Sequence, residues 1–138
     1  SYAYVITESS SEVFLMAYTP EQERKLVILG SNSTEPVGFG GAAGIRISPG
    51  ERFVLASNRN ADSISVFQIR ENGWLRLVYN EIVPCGCPRD FQFTPDGKWV
   101  IAGLQTTDRL AVYKFNENGT MEQVSFVDEI ERPTCIVF

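Results

Sequence analysis

A nine-residue phrase, SPGERFVLA from Ser48 to Ala56, returns as TPDGKWVIA from Thr94 to Ala102, a displacement of 46 residues. The displacement holds without a gap beyond the phrase. Asp62 falls on Asp108, Val66 on Val112, Phe67 on Tyr113, and Glu71-Asn72-Gly73 on Glu117-Asn118-Gly119. A weaker copy lies 51 residues upstream, where Tyr2–Val5 answers Phe53–Ala56 and Val13–Tyr18 answers Ile64–Ile69. Strand-like content repeating at roughly 40–50 residues is the pattern of propeller blades, each too small to bury a core alone. The chain is therefore expected to be all-β, a β-propeller segment of about three four-stranded antiparallel blades.

Within the third unit, Asp90–Thr94, Trp99–Leu104, Leu110–Phe115 and Met121–Asp128 read as strands, with turns at Pro95-Asp96-Gly97 and Asn116–Gly119. The second unit repeats the plan at Gly44–Ser48, Phe53–Asn58, Ser63–Ile69 and Trp74–Tyr79. Unit limits fall near 1–43, 44–89 and 90–138 of a single segment. The chain enters at the second strand of one blade and leaves, at Cys135–Phe138, on the first strand of another, about twelve strands in all. Glu21–Lys25 is charged but too short for a helix and reads as an exposed hairpin loop. Propellers typically use about four to eight blades. The chain is thus read as a piece of a larger propeller. Its edges at Tyr2–Thr7 and Thr134–Phe138 should pair with the remaining blades or with another copy.

Composition excludes several function classes. The chain carries a net charge of −5 over 138 residues, with no apolar run long enough for a membrane span and no signal-peptide pattern at Ser1. An acidic chain lacks the cations that nucleic acid or an anionic membrane would require. There is no histidine, which removes Ser-His-Asp and Cys-His catalysis from this segment and leaves zinc short of ligands. The three cysteines, Cys85, Cys87 and Cys135, are an odd number and read as reduced structural thiols in a cytoplasmic protein. No metal and no cofactor is expected. The glycine-rich run from Gly38 to Gly44 lacks the following helix and Lys-Ser/Thr of a phosphate loop, and reads as a flexible loop entering a strand.

The runs SPGERFVLASNRNADSISVFQI, CGCPRDFQFTPDGKWVIAG, DRLAVYKF and RPTCIVF, with the opening YAYVITESSSEVFLMAY, resemble the C-terminal part of the lactonase family. Those seven-bladed β-propellers include bacterial 6-phosphogluconolactonase and fungal carboxymuconate lactonizing enzyme. Ser57-Asn58-Arg59 and Cys87-Pro88-Arg89-Asp90 are the most specific phrases. The resemblance implies a small anionic lactone as substrate, most directly a sugar δ-lactone of the pentose phosphate route. A muconate-type cycloisomerase and a non-catalytic binding or assembly module are the alternatives.

Register and resemblance point to the same residues. Glu8, Arg59 and Gln105 occupy one equivalent position, just past the second strand of each unit, on one rim of the propeller. The family's cleft is formed in part by a Glu and an Arg at about this separation, and Arg89 resembles another arginine near it. Glu8 is the expected general base, provided its pocket is partly buried, and Arg59 the oxyanion or anion ligand. Arg89 is a second anion clamp. The resemblance places a His and a further Arg of the site in preceding blades, so the segment alone should be inactive. Asp62 and Asp108 read as turn caps, Trp74 and Trp99 as packing residues between blades, and Gln105 as structural.

Overall fold

The computed structural model describes residues 1–35, 40–84 and 86–138. Among them it holds eleven strands and no helix. The strands are β1 (Tyr2–Thr7), β2 (Glu12–Tyr18), β3 (Leu26–Ser33), β4 (Ala42–Ile47), β5 (Phe53–Asn58), β6 (Ser63–Ile69), β7 (Leu75–Ile82), β8 (Pro88–Phe93), β9 (Trp99–Leu104), β10 (Arg109–Phe115) and β11 (Met121–Val127). They form three antiparallel meanders: β1-β2-β3, β4-β5-β6-β7 and β8-β9-β10-β11. The first strands of the second and third sheets lie beside one another, and β1 lies beside β4.

The sequence repeat is also a repeat of register. Phe53 faces Gln68 and Val54 faces Phe67; 46 residues on, Trp99 faces Lys114 and Val100 faces Tyr113. Tyr2 faces Ala17 in the first sheet, at the matching place. Even the irregularities recur. Each outer strand pair carries a register shift at one equivalent point, between Leu15 and Met16, Val66 and Phe67, and Val112 and Tyr113. A bulge increases local strand twist, so all three sheets twist alike and stack.

Stacking sets the burial. All six residues of β5 are buried, because its sheet is covered on both faces. Alternation divides them: Phe53 and Leu55 join the core shared with the third sheet, while Val54 and Ala56 join the core shared with the first. By contrast β3 exposes Leu26, Val27, Ile28 and Leu29. The turn glycines lock neighbouring sheets together. A side chain at Gly73 would strike the Tyr2 ring, and one at Gly119 would strike the Phe53 ring, the equivalent contact one sheet on. Trp74 packs across sheets against Gly30, as its packing role required. Trp99 stands at the position of Tyr2 and Phe53 and is 36% exposed.

Asp62 and Asp108 do cap turns, and they do more. Both adopt positive φ, as Ser11 does at the equivalent place in the first sheet. Asp62 accepts the Val83 N–H on its carbonyl and the Cys87 N–H on Oδ1 (both 2.7 Å). Asp108 does the same for Ile130 (3.0 Å) and Arg132 (2.9 Å). Each aspartate thus ties down the strap leading towards the next inner strand. Thr19 N–H bonds to the Lys25 carbonyl at 2.9 Å and closes the exposed loop expected around Glu21–Lys25.

The first sheet has three strands, as an entry at the second strand of a blade implies. Two expectations need correction. Eleven strands are found rather than twelve, since Thr134–Phe138 has no ladder partner: Ile136 N–H is held by the Asp90 carboxylate instead. The strand placed at Trp74–Tyr79 runs from Leu75 to Ile82, displaced because Arg70 N–H bonds to the Trp74 carbonyl and draws Trp74 into the turn. Cys85, with Gly38 and Phe39 of the glycine-rich run, lies outside the described residues.

One contact between sheets carries a pH signature. The Tyr79 hydroxyl donates to Glu81 Oε2 at 2.6 Å beside the Met121 carbonyl. That bond to a carboxylate, aided by burial, pushes the phenol up to about 12. The folded value lies above the ordinary tyrosine value of about 10. The stabilisation is therefore complete below about pH 10 and lost as pH climbs through about 12. Ultraviolet titration of tyrosinate should show a late-titrating phenol that Glu81→Gln moves to lower pH. An unchanged curve in that variant would refute the assignment.

Candidate active site

The residue after β1, β5 and β9, the strands at one equivalent place in the repeat, lies just past the strand end in each sheet. Glu8 follows β1, Arg59 follows β5 and Gln105 follows β9, as the register required. The Ser-Asn-Arg phrase explains how Arg59 is aimed. Ser57 Oγ accepts the Gly44 N–H at 2.8 Å, pinning β5 to the inner strand. Asn58 turns inward, fully buried, with Nδ2 in reach of Ser63 Oγ and Ser65 Oγ, each at 3.1 Å. Arg59 is the first side chain free to leave the sheet.

Gly41 joins the two charged residues. Its N–H donates to the Glu8 carbonyl at 2.7 Å, and its carbonyl accepts the Arg59 N–H at 2.9 Å and Nε–H at 3.2 Å. The backbone here has φ +86°, and a Cβ would lie 2.8 Å from the Asn60 side chain, so only glycine fits. The sequence reading missed Gly41. The register could have found it, because Cys87 bonds Gln105 N–H at the equivalent place and also has positive φ.

Arg59 Nη2 forms an ion pair with Glu8 Oε1, the pair the sequence placed together. The Arg59 side chain is 20% exposed and Glu8 69%, so Glu8 stands at the mouth of the site and not in a partly buried pocket. Beside it opens a cleft of about 370 Å³ between the end of β1 and the inner strands β4 and β8, walled by Glu8, Arg46, Arg89, Asp90 and Thr134. Arg89 is half-buried. No hydrogen bond or ion pair engages it among the described residues. Asp90, its neighbour, pairs with Arg46 across the strands at 2.8 Å instead. Gln105 lies away from this cleft, against Asp108 and Arg132. Among the described residues no three His, Cys, Asp or Glu side chains cluster as metal ligands. Cys87 and Cys135 are free thiols, and among the described residues no helix is long and apolar enough to cross a membrane.

Repeated antiparallel sheets stacked side by side, with polar residues brought to one rim, define a β-propeller. Residues 1–138 match the family described as Lactonase, 7-bladed beta-propeller, and the chain belongs to that family. It is 33% identical over 95 residues to 6-phosphogluconolactonase of Bacillus subtilis, a match over 67% of this chain and 27% of that protein. The structure of the Pseudomonas aeruginosa periplasmic gluconolactonase superposes with a TM-score of 0.88 at 28% identity, over 97% of this chain and 38% of that one. A Bacteroides uniformis protein of known structure gives 0.87 at 31% identity, over 97% and 39%. The chain thus spans roughly a quarter to two fifths of the length of these relatives.

Proposed function

We propose that this chain carries the Glu8–Arg59 half of a lactone hydrolase site, with 6-phosphogluconolactone as substrate. The observation that carries the reading is the carboxylate–guanidinium pair at the mouth of a cleft that also holds an unpaired arginine, Arg89, in a chain of this family. Hydrolysis of a δ-lactone needs a base for water and a donor for the oxyanion. The Glu8 carboxylate, exposed to water at the mouth of the cleft and held there by Arg59 rather than by burial, takes a proton from water as the oxygen adds to the acyl carbon. Arg59 donates to the oxyanion so formed. The acyl–oxygen bond of the ring then breaks, and the ring oxygen recovers the proton from Glu8 to give the open hydroxy acid. Arg89, lacking a carboxylate partner, binds the substrate's phosphate. The free thiols Cys87 and Cys135 support a reducing cytoplasmic setting, unlike that of the periplasmic relative.

The test is hydrolysis of 6-phosphoglucono-δ-lactone above its spontaneous rate by the complete gene product. Glu8→Gln should cut turnover by about two orders of magnitude, with thermal stability nearly unchanged because Glu8 is exposed. Full activity in that variant would remove Glu8 from the chemistry.

A further inference from the structure

Arg46 lies on the wall of the same cleft, and no repeat rule singles it out: Gln92 and Phe138 hold the matching positions. Its guanidinium is fixed from several sides. Nη2 donates to Asp90 Oδ1 and Nη1 to the Ile45 carbonyl, each at 2.8 Å, with the Phe91 ring 5.9 Å away. The Arg46 side chain nevertheless stays 28% exposed. An arginine has about five N–H donors, so these contacts leave others for a ligand.

Asp90 is 6% exposed, and both its oxygens are engaged, Oδ1 by Arg46 and Oδ2 by the Ile136 N–H at 3.0 Å. It acts as an anchor, a buried carboxylate whose two oxygens already accept hydrogen bonds from two separate stretches of the chain. Gly44 leaves it room, for a Cβ there would come within 3.1 Å of Oδ1. The cleft lining carries the guanidiniums of Arg46 and Arg89 beside the carboxylates of Glu8 and Asp90. Asp90 is paired with Arg46, and Glu8 with Arg59 outside the lining, which leaves the Arg89 charge without a carboxylate among the described residues of a chain whose net charge is −5. A local cationic surplus on an acidic protein, with one arginine held rigid and another unpaired, fits an anionic group.

We propose that Arg46 is a specificity-determining ligand that clamps the substrate's anionic group together with Arg89, and that Asp90 is the positioning residue for Arg46. The inference rests on the lactonase reading of the same cleft.

The experiment uses the complete gene product. Inorganic phosphate and 6-phosphogluconate are titrated against wild type, Arg46→Gln, Arg46→Lys and Asp90→Asn, and hydrolysis of the phosphorylated lactone is compared with that of glucono-δ-lactone. Arg46→Gln should weaken phosphate binding about tenfold or more, the size of one charge-assisted hydrogen bond. It should raise KM for the phosphorylated lactone in step, leaving kcat and the neutral lactone little changed. Arg46→Lys should restore part of the affinity as a point charge without the fork. Asp90→Asn keeps an acceptor for Ile136 but loses the charge that holds Arg46, and should raise the same KM by less. Unchanged phosphate affinity in both Arg46 variants, or equal losses on charged and neutral lactones, overturns the proposal. If Arg46→Gln does not fold, Arg46→Lys, which keeps the ion pair, decides. A wild type that binds phosphate through Arg46 but hydrolyses no lactone would refute the lactonase reading alone. One that hydrolyses neutral lactone but binds neither anion would refute the clamp, and with it the phosphorylated substrate, while leaving the lactone hydrolase reading in place.

Discussion

Arg59→Ala in the complete gene product should lower lactone turnover by a factor of about a hundred or more, comparable to removing one oxyanion donor. That is about 2.7 kcal/mol of transition-state stabilisation. The fall should appear in kcat and in kcat/KM alike, because the oxyanion exists only after water has added. Folding should suffer little. The ion pair to Glu8 is a surface pair, since the carboxylate is 69% exposed, and such pairs contribute about 0–1 kcal/mol. The Nε–H bond to Gly41, at 3.2 Å, adds about 1 kcal/mol at most. Arg59→Lys should recover part of the rate, because an ammonium can still meet an oxyanion. Wild-type turnover in Arg59→Ala, measured beside a wild-type thermal midpoint, would exclude the residue from the chemistry.

Gly119→Ala should cost about 2–5 kcal/mol of stability, read as a shift in the denaturant midpoint. Two independent terms add. The residue has φ +88°, where an L side chain costs about 1–2 kcal/mol. The new Cβ would lie 2.7 Å from the Phe53 ring. That ring is only 5% exposed and packs edge-on against Phe115 at 5.6 Å, so it has nowhere to retreat, and overpacking costs about 1–3 kcal/mol. Gly50→Ala is the control, with nothing within 4 Å of its Cβ; it should be neutral or stabilising by up to about 1 kcal/mol. Equal midpoints for the two variants would show that this turn does not lock the sheets. Phe53→Leu in the Gly119→Ala background should relieve part of the loss if the ring contact is the cause.

Much of the fold was legible because strand pairing is periodic and a propeller repeats it. One displacement of 46 residues, applied to β5 and β6, reproduces the register of β9 and β10 residue by residue. It also brought Glu8, Arg59 and Gln105 to equivalent places, and the Glu8–Arg59 ion pair followed. Less visible were the contacts between sheets, which obey no spacing along the chain. The Arg46–Asp90 pair joins residues on neighbouring inner strands, 44 positions apart and off the 46-residue displacement of the repeat. Arg89 sits at a register shift beside Asp90 and lines the same cleft, yet it is Arg46, from the neighbouring sheet, that reaches the carboxylate.

The sequence by itself determined the all-β class, the repeating unit, the turns at Asn116–Gly119 and Pro95–Gly97, and the rim position of Glu8 and Arg59. These are local or periodic properties, written in residue type and spacing. Only the tertiary structure decided that Glu8 stands exposed, that Gly41 bridges it to Arg59, that Asp90 holds Arg46, and that Arg89 has no ion-pair partner among the described residues. Each of those depends on how one sheet stacks on the next. Stacking is set by the twist and packing of whole sheets, and no short stretch of sequence encodes it.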